Sequence, residues 1–172
     1  LHWPTPSGEN REALELLQQA ANKGYAKSIG VSNYTIKMLE EACATLDDMP
    51  VCNQVEFHPY LDQSKLFAAA TRLGIALSAY CPLAKGRIFG DPVINTLAAK
   101  YDRSEAQIIL RWIVQKGVSA NPMSTKPENL SANLEAVNFN LSAPDSAAID
   151  RLGKKGLRIV DKDRMPIAPE WD

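Results

Sequence analysis

Cysteine and histidine are scarce in this sequence. Among 172 residues there are three cysteines, Cys43, Cys52 and Cys81, widely spaced and with no CxxC pair. That pattern excludes a disulfide scaffold and a structural zinc site, and it suits a reducing cytoplasm. The only two histidines, His2 and His58, have no ligand spacing, so no metal centre is expected. Basic blocks are lacking as well: 19 Lys and Arg stand against 20 Asp and Glu, a net charge of −1. Nucleic acid and anionic membrane are therefore not expected partners. No apolar run approaches the length needed to cross a bilayer, and no targeting segment is visible. A GxGxxG turn, the mark of a doubly wound dinucleotide-binding domain, is also missing.

What is present is an ordinary globular composition, 45% hydrophobic and 23% charged, enough for one compact domain over residues 1–155 with a Pro- and charge-rich tail over 156–172. The apolar period predicts helices over residues 9–23, 35–46, 62–73, 92–101, 105–116, 127–136 and 144–152. Gly24, Gly74 and Gly117 stand where such helices stop, and Thr35 and either Ser142 or Asp145 stand where they start. Between the helices, KSIGVS, VCNQVEF, IALSAY and VSANPM read as short strands, and LHW reads as the end of another that runs out into a loop.

About five strands, nearly every one followed by a helix, require crossover connections and hence a parallel sheet. A (β/α) barrel places its chemistry at the carboxyl ends of its strands, and that is where the polar residues gather: His2; Ser32 and Asn33; Asn53, Gln54 and Glu56; Ser78 and Tyr80; Asn121 with Ser124. Polar side chains late in apolar strands are costly unless they meet partners or a ligand. Five such ends in succession look like the wall of one pocket. The expected fold class is thus α/β, a (β/α)8 barrel of which this chain supplies about the last five strands, the missing strands preceding Leu1.

The motifs LHWP, GVSNY, NQVEFHPY and AYCPLAKG resemble, in order, the signatures of the aldo-keto reductases. These are (β/α)8 barrels that bind NADPH in extended form. The stretch MSTKPENLSANL and the ending APEWD look closest to the bacterial branch that contains 2,5-diketo-D-gluconate reductases and acts on methylglyoxal-like carbonyls. The resemblance implies an oxidoreductase, cytoplasmic and monomeric, reducing a small aldehyde, ketone or dicarbonyl substrate with NADPH, and with NADH as the alternative cofactor.

By the same resemblance, His2 is the histidine that hydrogen-bonds the substrate carbonyl, and Trp3 lines the pocket beside it. Ser32, Asn33 and Gln54 hold the nicotinamide carboxamide, and Tyr80 stacks on the nicotinamide ring. Leu83 opens the loop over the pyrophosphate. Ser124 and Thr125 open the segment that meets the adenosine 2′-phosphate; in that segment Met123 and Asn129 stand where many relatives carry Lys and Arg, and nearby Lys126 is the cation that could substitute. Asn133 contacts adenine. The family's proton-donor Tyr and its Lys and Asp partners come from strands before His2 and are absent here, so the chain alone is expected to be inactive.

Plainer readings stand beside these. Asn33 could instead cap the helix that starts near Thr35. His58 reads as structural, Glu56 as a carboxylate that anchors a loop, and Cys81 as a small filler without a paired base. A truncated barrel that holds a nucleotide without catalysis is the alternative function; a hydrolase or lyase is disfavoured by the absence of GxSxG and of a metal cluster.

Overall fold

The computed structural model describes residues 1–7 and 9–172. Four strands form one parallel sheet in the order β1-β2-β3-β4: β1 is Val31–Ser32, β2 Cys52–Glu56, β3 Ala76–Tyr80 and β4 Ser119–Ala120. Strand order follows chain order, and each connection carries at least one helix, the (β/α) alternation expected from the sequence. Packing divides the chain into two units. One is Leu1–Val55 with Ser64–Ser78 and Val160–Asp172; the other is Glu56–Gln63 with Ala79–Ile159.

In the first unit, helices α1 (Arg11–Asn22), α2 (Ile36–Thr45) and α3 (Ser64–Leu73) pack in sequence, α1 on α2 and α2 on α3. Leu14, Leu39, Ala42, Leu66 and Ala70 supply the apolar stripes and are buried. The buried polar member of α1, Gln18, is satisfied because its Oε1 accepts from Asp47 N at 3.1 Å and Asp48 N at 3.2 Å. Strand β1 pairs with β2 in the register Val31↔Asn53 and Ser32↔Gln54. The strands approach so closely that a Cβ on Gly30 would lie 3.1 Å from the Cys52 carbonyl, which accounts for glycine there.

In the second unit, α4 (Pro92–Tyr101), α5 (Glu105–Gln115), α6 (Pro127–Leu134) and α7 (Ala143–Asp150) gather around α5 and β4. Short 3₁₀ turns occupy Ala84–Gly86, Glu135–Val137 and Arg151–Lys155. Helix α5 is closed at its start by a capping box between Ser104 and Gln107. It buries Ile108, Ile109, Leu110, Trp112 and Ile113, too wide an arc for a surface helix, so α5 is the unit's core. Trp112 packs against Phe57, ring centroids 5.6 Å apart, and its Nε1 donates to Asp150 at 2.8 Å.

The helices fall where periodicity placed them, within two residues at each end. The strands are shorter than expected. Of KSIGVS only Val31–Ser32 is strand; Ile29 O accepts from Val51 N at 2.9 Å just before it, and Lys27 and Ser28 are exposed. Of VSANPM only Ser119–Ala120 is strand; Asn121 N still donates to Ala79 O at 3.0 Å, and Pro122, next along, has no N–H to extend the ladder. LHW is not a strand; the Leu1 amine donates to Gly30 O at 2.7 Å, beside β1. Among the described residues no helix is long and apolar enough to cross a membrane.

Candidate active site

Strand β1 ends in a bend that orders the first group of candidate residues. Asn33 takes φ +63°, the left-handed region that Asn tolerates better than most L residues. Its N–H donates to Gln54 O at 2.9 Å, and Ser32 Oγ donates to the same carbonyl at 2.8 Å. Asn33 Nδ2 donates to Ser32 Oγ and to His2 O, both at 3.1 Å. One network therefore ties the backbone of His2 to β1 and β2. Asn33 does not cap α2. That task falls to Thr35, whose Oγ1 accepts from Met38 N, so the capping alternative for Asn33 is set aside.

The backbone of Gln54 is used in this network, but its side chain is exposed and without a hydrogen-bond partner among the described residues. A free amide offers two donors and an acceptor to a ligand. The His2 ring is exposed and stacks on half-buried Trp3, centroids 5.8 Å apart and 29° between planes. Five residues singled out in the sequence thus lie in one unit, four of them in direct hydrogen-bonded sequence and Trp3 through its ring.

The second group lies in the other unit. Tyr80 closes β3, half-buried. Burial, reinforced by the negative Glu56, pushes its phenol well above the ordinary value, so the ring is neutral and flat at physiological pH. Beyond it, Cys81, Pro82, Leu83, Lys85, Gly86 and Phe89 form one wall of a cavity of about 590 Å³, within the size range of small-molecule and cofactor sites. Leu83, Ser124, Asn129 and Asn133 all line it, together with Asn121, Pro82 and Phe89. Thr125 and Lys126 do not. Both are exposed, and Ser124 Oγ accepts from Lys126 N at 3.2 Å where the chain turns into α6.

Sequence reasoning did not single out the wall residues Lys85 and Phe89, which follow Leu83 in the loop it assigned to the pyrophosphate. Gly86 and Gly90, with φ +82° and +84°, were the available signal that this stretch is a sequence of turns rather than a plain connection.

Glu56 and His58 are fully buried, with His58 Nε2 2.9 Å from Glu56 Oε1. The same oxygen accepts from Ile159 N at 2.6 Å. Glu56 thus anchors a loop, as its position suggested. Burial and then Glu56 raise the Cys81 thiol above its ordinary value, which keeps it protonated and a poor nucleophile. Among the described residues no cluster could hold a metal ion.

In the second unit, Leu83, Pro82 and Phe89 supply apolar surface and Asn121, Ser124, Asn129 and Asn133 neutral polar groups around one cavity, a lining whose chemistry fits the rings and the sugar and base edges of a nucleotide.

Residues 1–154 match the sequence model of the aldo/keto reductase family. The chain is 40% identical over 175 aligned residues to the methylglyoxal reductase DkgB of Escherichia coli O157:H7, covering 100% of this chain and 64% of the relative. It superposes with TM-score 0.94 and 35% identity on a crystal structure provisionally assigned as a 2,5-diketo-D-gluconic acid reductase B, covering 100% of this chain and 61% of that one. A point mutant of Gox0644 solved in complex with NADPH matches with TM-score 0.89 and 34% identity over 96% of this chain and 61% of that one. The chain thus spans about three-fifths of the length of these proteins.

Proposed function

The chain belongs to the aldo/keto reductase family, and on that premise we propose that it holds NADPH and serves the reduction of a small aldehyde, ketone or dicarbonyl to an alcohol. The observation that carries the reading is the 590 Å³ cavity, whose walls include four residues that the resemblance sets along the pyrophosphate and adenosine side of the cofactor: Leu83, Ser124, Asn129 and Asn133. A relative named for methylglyoxal reduction and a structural neighbour holding NADPH point the same way.

Bound NADPH supplies the hydride, and the protein supplies position and electrostatics. Gln54 reads the carboxamide with its unengaged amide, and Ser32 and Asn33 fix the backbone beneath it. Tyr80 offers a neutral aromatic face that restrains the nicotinamide ring. His2 directs its exposed ring at the carbonyl oxygen, where negative charge gathers as the carbonyl is reduced. One preorganised donor at such an oxygen lowers the barrier by about 3 kcal/mol. Trp3 supplies an apolar wall beside it.

Reduction also needs a proton. Tyr34 is fully enclosed, Tyr60 donates to Asp91 at 2.7 Å, and Tyr101 donates to Asp145 at 2.5 Å. None of these three is available as the donor, which we assign to a barrel segment outside these 172 residues. The test is to incubate the protein with NADPH and methylglyoxal and follow both binding and NADPH loss. The chain by itself is expected to bind NADPH without turning it over. Carbonyl-dependent oxidation would place the proton donor within the chain and overturn that assignment, and no binding at all would overturn the whole reading.

A further inference from the structure

We propose that Asp172 is a positioning residue for the candidate site. Its carboxylate fixes the first turn of α2 and, through it, the Ser32–Asn33 bend, so that docking of the tail and binding of NADPH favour each other. The inference rests on the reading of this bend as part of a cofactor site. It adds a group 136 residues beyond Ile36 that sets the bend. Helix α2 lacks a strong start of its own. Its first turn holds no acidic residue and instead carries Lys37, whose charge opposes the helix dipole at that end. The bond from Met38 N to Thr35 Oγ1 is 3.5 Å long, weak for such a contact. Ile36 N, the first amide of the helix, has no acceptor within it, as at any helix start. It donates instead to Asp172 Oδ2 at 2.9 Å. The tail thus supplies the carboxylate that the local sequence lacks.

That turn is contiguous with the site. Asn33 N donates to Gln54 O. Tyr34 N donates to Asn53 Oδ1 at 3.3 Å, and Tyr34 O accepts from Asn53 Nδ2 at 2.9 Å. Ile36 N is held by Asp172. Successive anchors therefore carry the chain from the left-handed bend at Asn33 into α2. Those from β2 are buried, whereas Asp172 is exposed, so its hold can be released without disturbing the sheet. The tail borders the other flank of the site as well. Ile167, Ala168 and Pro169 line a cavity of about 480 Å³ together with Thr35 and with Pro4 and Thr5, which directly follow Trp3. Ala168 is buried, and an ion pair joins Lys162 to Glu170. A site that is competent only while the tail is docked binds its ligand more weakly by the fraction of time it is undocked. Such coupling is reciprocal, so the ligand must in turn favour docking.

The experiment titrates NADPH into the unsubstituted protein, Asp172→Ala and Asp172→Glu, and follows hydrogen exchange at the Ile36 amide with and without NADPH. Asp172 is exposed, so both variants are expected to fold. Asp172→Ala should bind NADPH about threefold more weakly, the size of one charge at a helix start, and Asp172→Glu within about twofold of the unsubstituted protein. NADPH should slow exchange at Ile36 in the unsubstituted protein, and slow it less in Asp172→Ala. A contact that only supports the fold would speed Ile36 exchange in Asp172→Ala and leave the affinity for NADPH unchanged. That result, or Ile36 exchange indifferent to NADPH in the unsubstituted protein, overturns the proposal while leaving the cofactor reading in place. So does Asp172→Glu binding as poorly as Asp172→Ala. Failure of the unsubstituted protein to bind NADPH overturns both.

Discussion

The side-chain nitrogen of Asn33 stands 3.1 Å from the carbonyl oxygen of His2, 31 residues earlier in the chain. A buried amide in a left-handed bend thereby sets the backbone of the exposed histidine. Two substitutions separate the bend from the strut. Asn33→Gly keeps the φ of +63° at no steric cost but loses the side-chain bonds, and Asn33→Ala loses both. The alanine variant is expected to lose about 2–3 kcal/mol of stability and the glycine variant about 1 kcal/mol less than that. Urea denaturation midpoints of the two variants check the order, and equal losses would mean the bend carries no strain.

Gln54 separates binding from folding. Its side chain is exposed and makes no hydrogen bond within the described residues, so Gln54→Ala should leave the stability within about 0.5 kcal/mol. Its affinity for NADPH should fall about tenfold, the worth of one or two amide hydrogen bonds. Unchanged affinity in a fluorescence titration would remove Gln54 from the site.

Asp91 makes stability depend on pH. It accepts from Tyr60 Oη and from Lys155 Nζ, both at 2.7 Å, and from Val93 N at 2.9 Å as the cap of α4. Burial alone would raise its carboxyl, but these bonds outweigh it and hold the value below the ordinary 3.8. A depressed carboxyl stabilises the fold fully above its unfolded value and loses that contribution as pH falls through the folded one. Asp91→Asn should therefore cost about 1–2 kcal/mol near neutral pH and little in strong acid. Parallel acid limbs for the two proteins in urea melts would contradict the assignment.

Glu56 is expected to be the most costly single change in the second unit. Glu56→Ala leaves His58 and Ile159 N without their shared acceptor in a fully buried place, and breaking one partner of such a pair costs about 3–5 kcal/mol. Hydrogen exchange at the Ile159 amide reads the same event locally. Protection retained there in the variant would show that Glu56 is not the anchor.

Much of this was legible from the residues alone. Helix α5 announced itself through Ile108, Ile109, Trp112 and Ile113, and Gly24, Gly74 and Gly117 marked helix ends because each takes a positive φ. Grouping Leu83, Ser124, Asn129 and Asn133 together needed no coordinates, since the resemblance of their motifs set them along one ligand. Strand length was not legible. The two-residue strands β1 and β4 are set by where partners lie, and apolar patterning extends past that point. Lys85 was not singled out within the loop that follows Leu83, because only the left-handed turns at Cys81, Ala84 and Lys85 put it on the cavity wall.

The central claim, that the chain binds NADPH through this cavity, is tested most directly by calorimetric titration of NADPH into the protein and into Ala132→Trp. Ala132 lines the cavity, and an indole there fills it. One saturable site in the unsubstituted protein, lost in a folded Ala132→Trp, is the expected result. No binding by the unsubstituted protein, or undiminished binding by the variant, would contradict it.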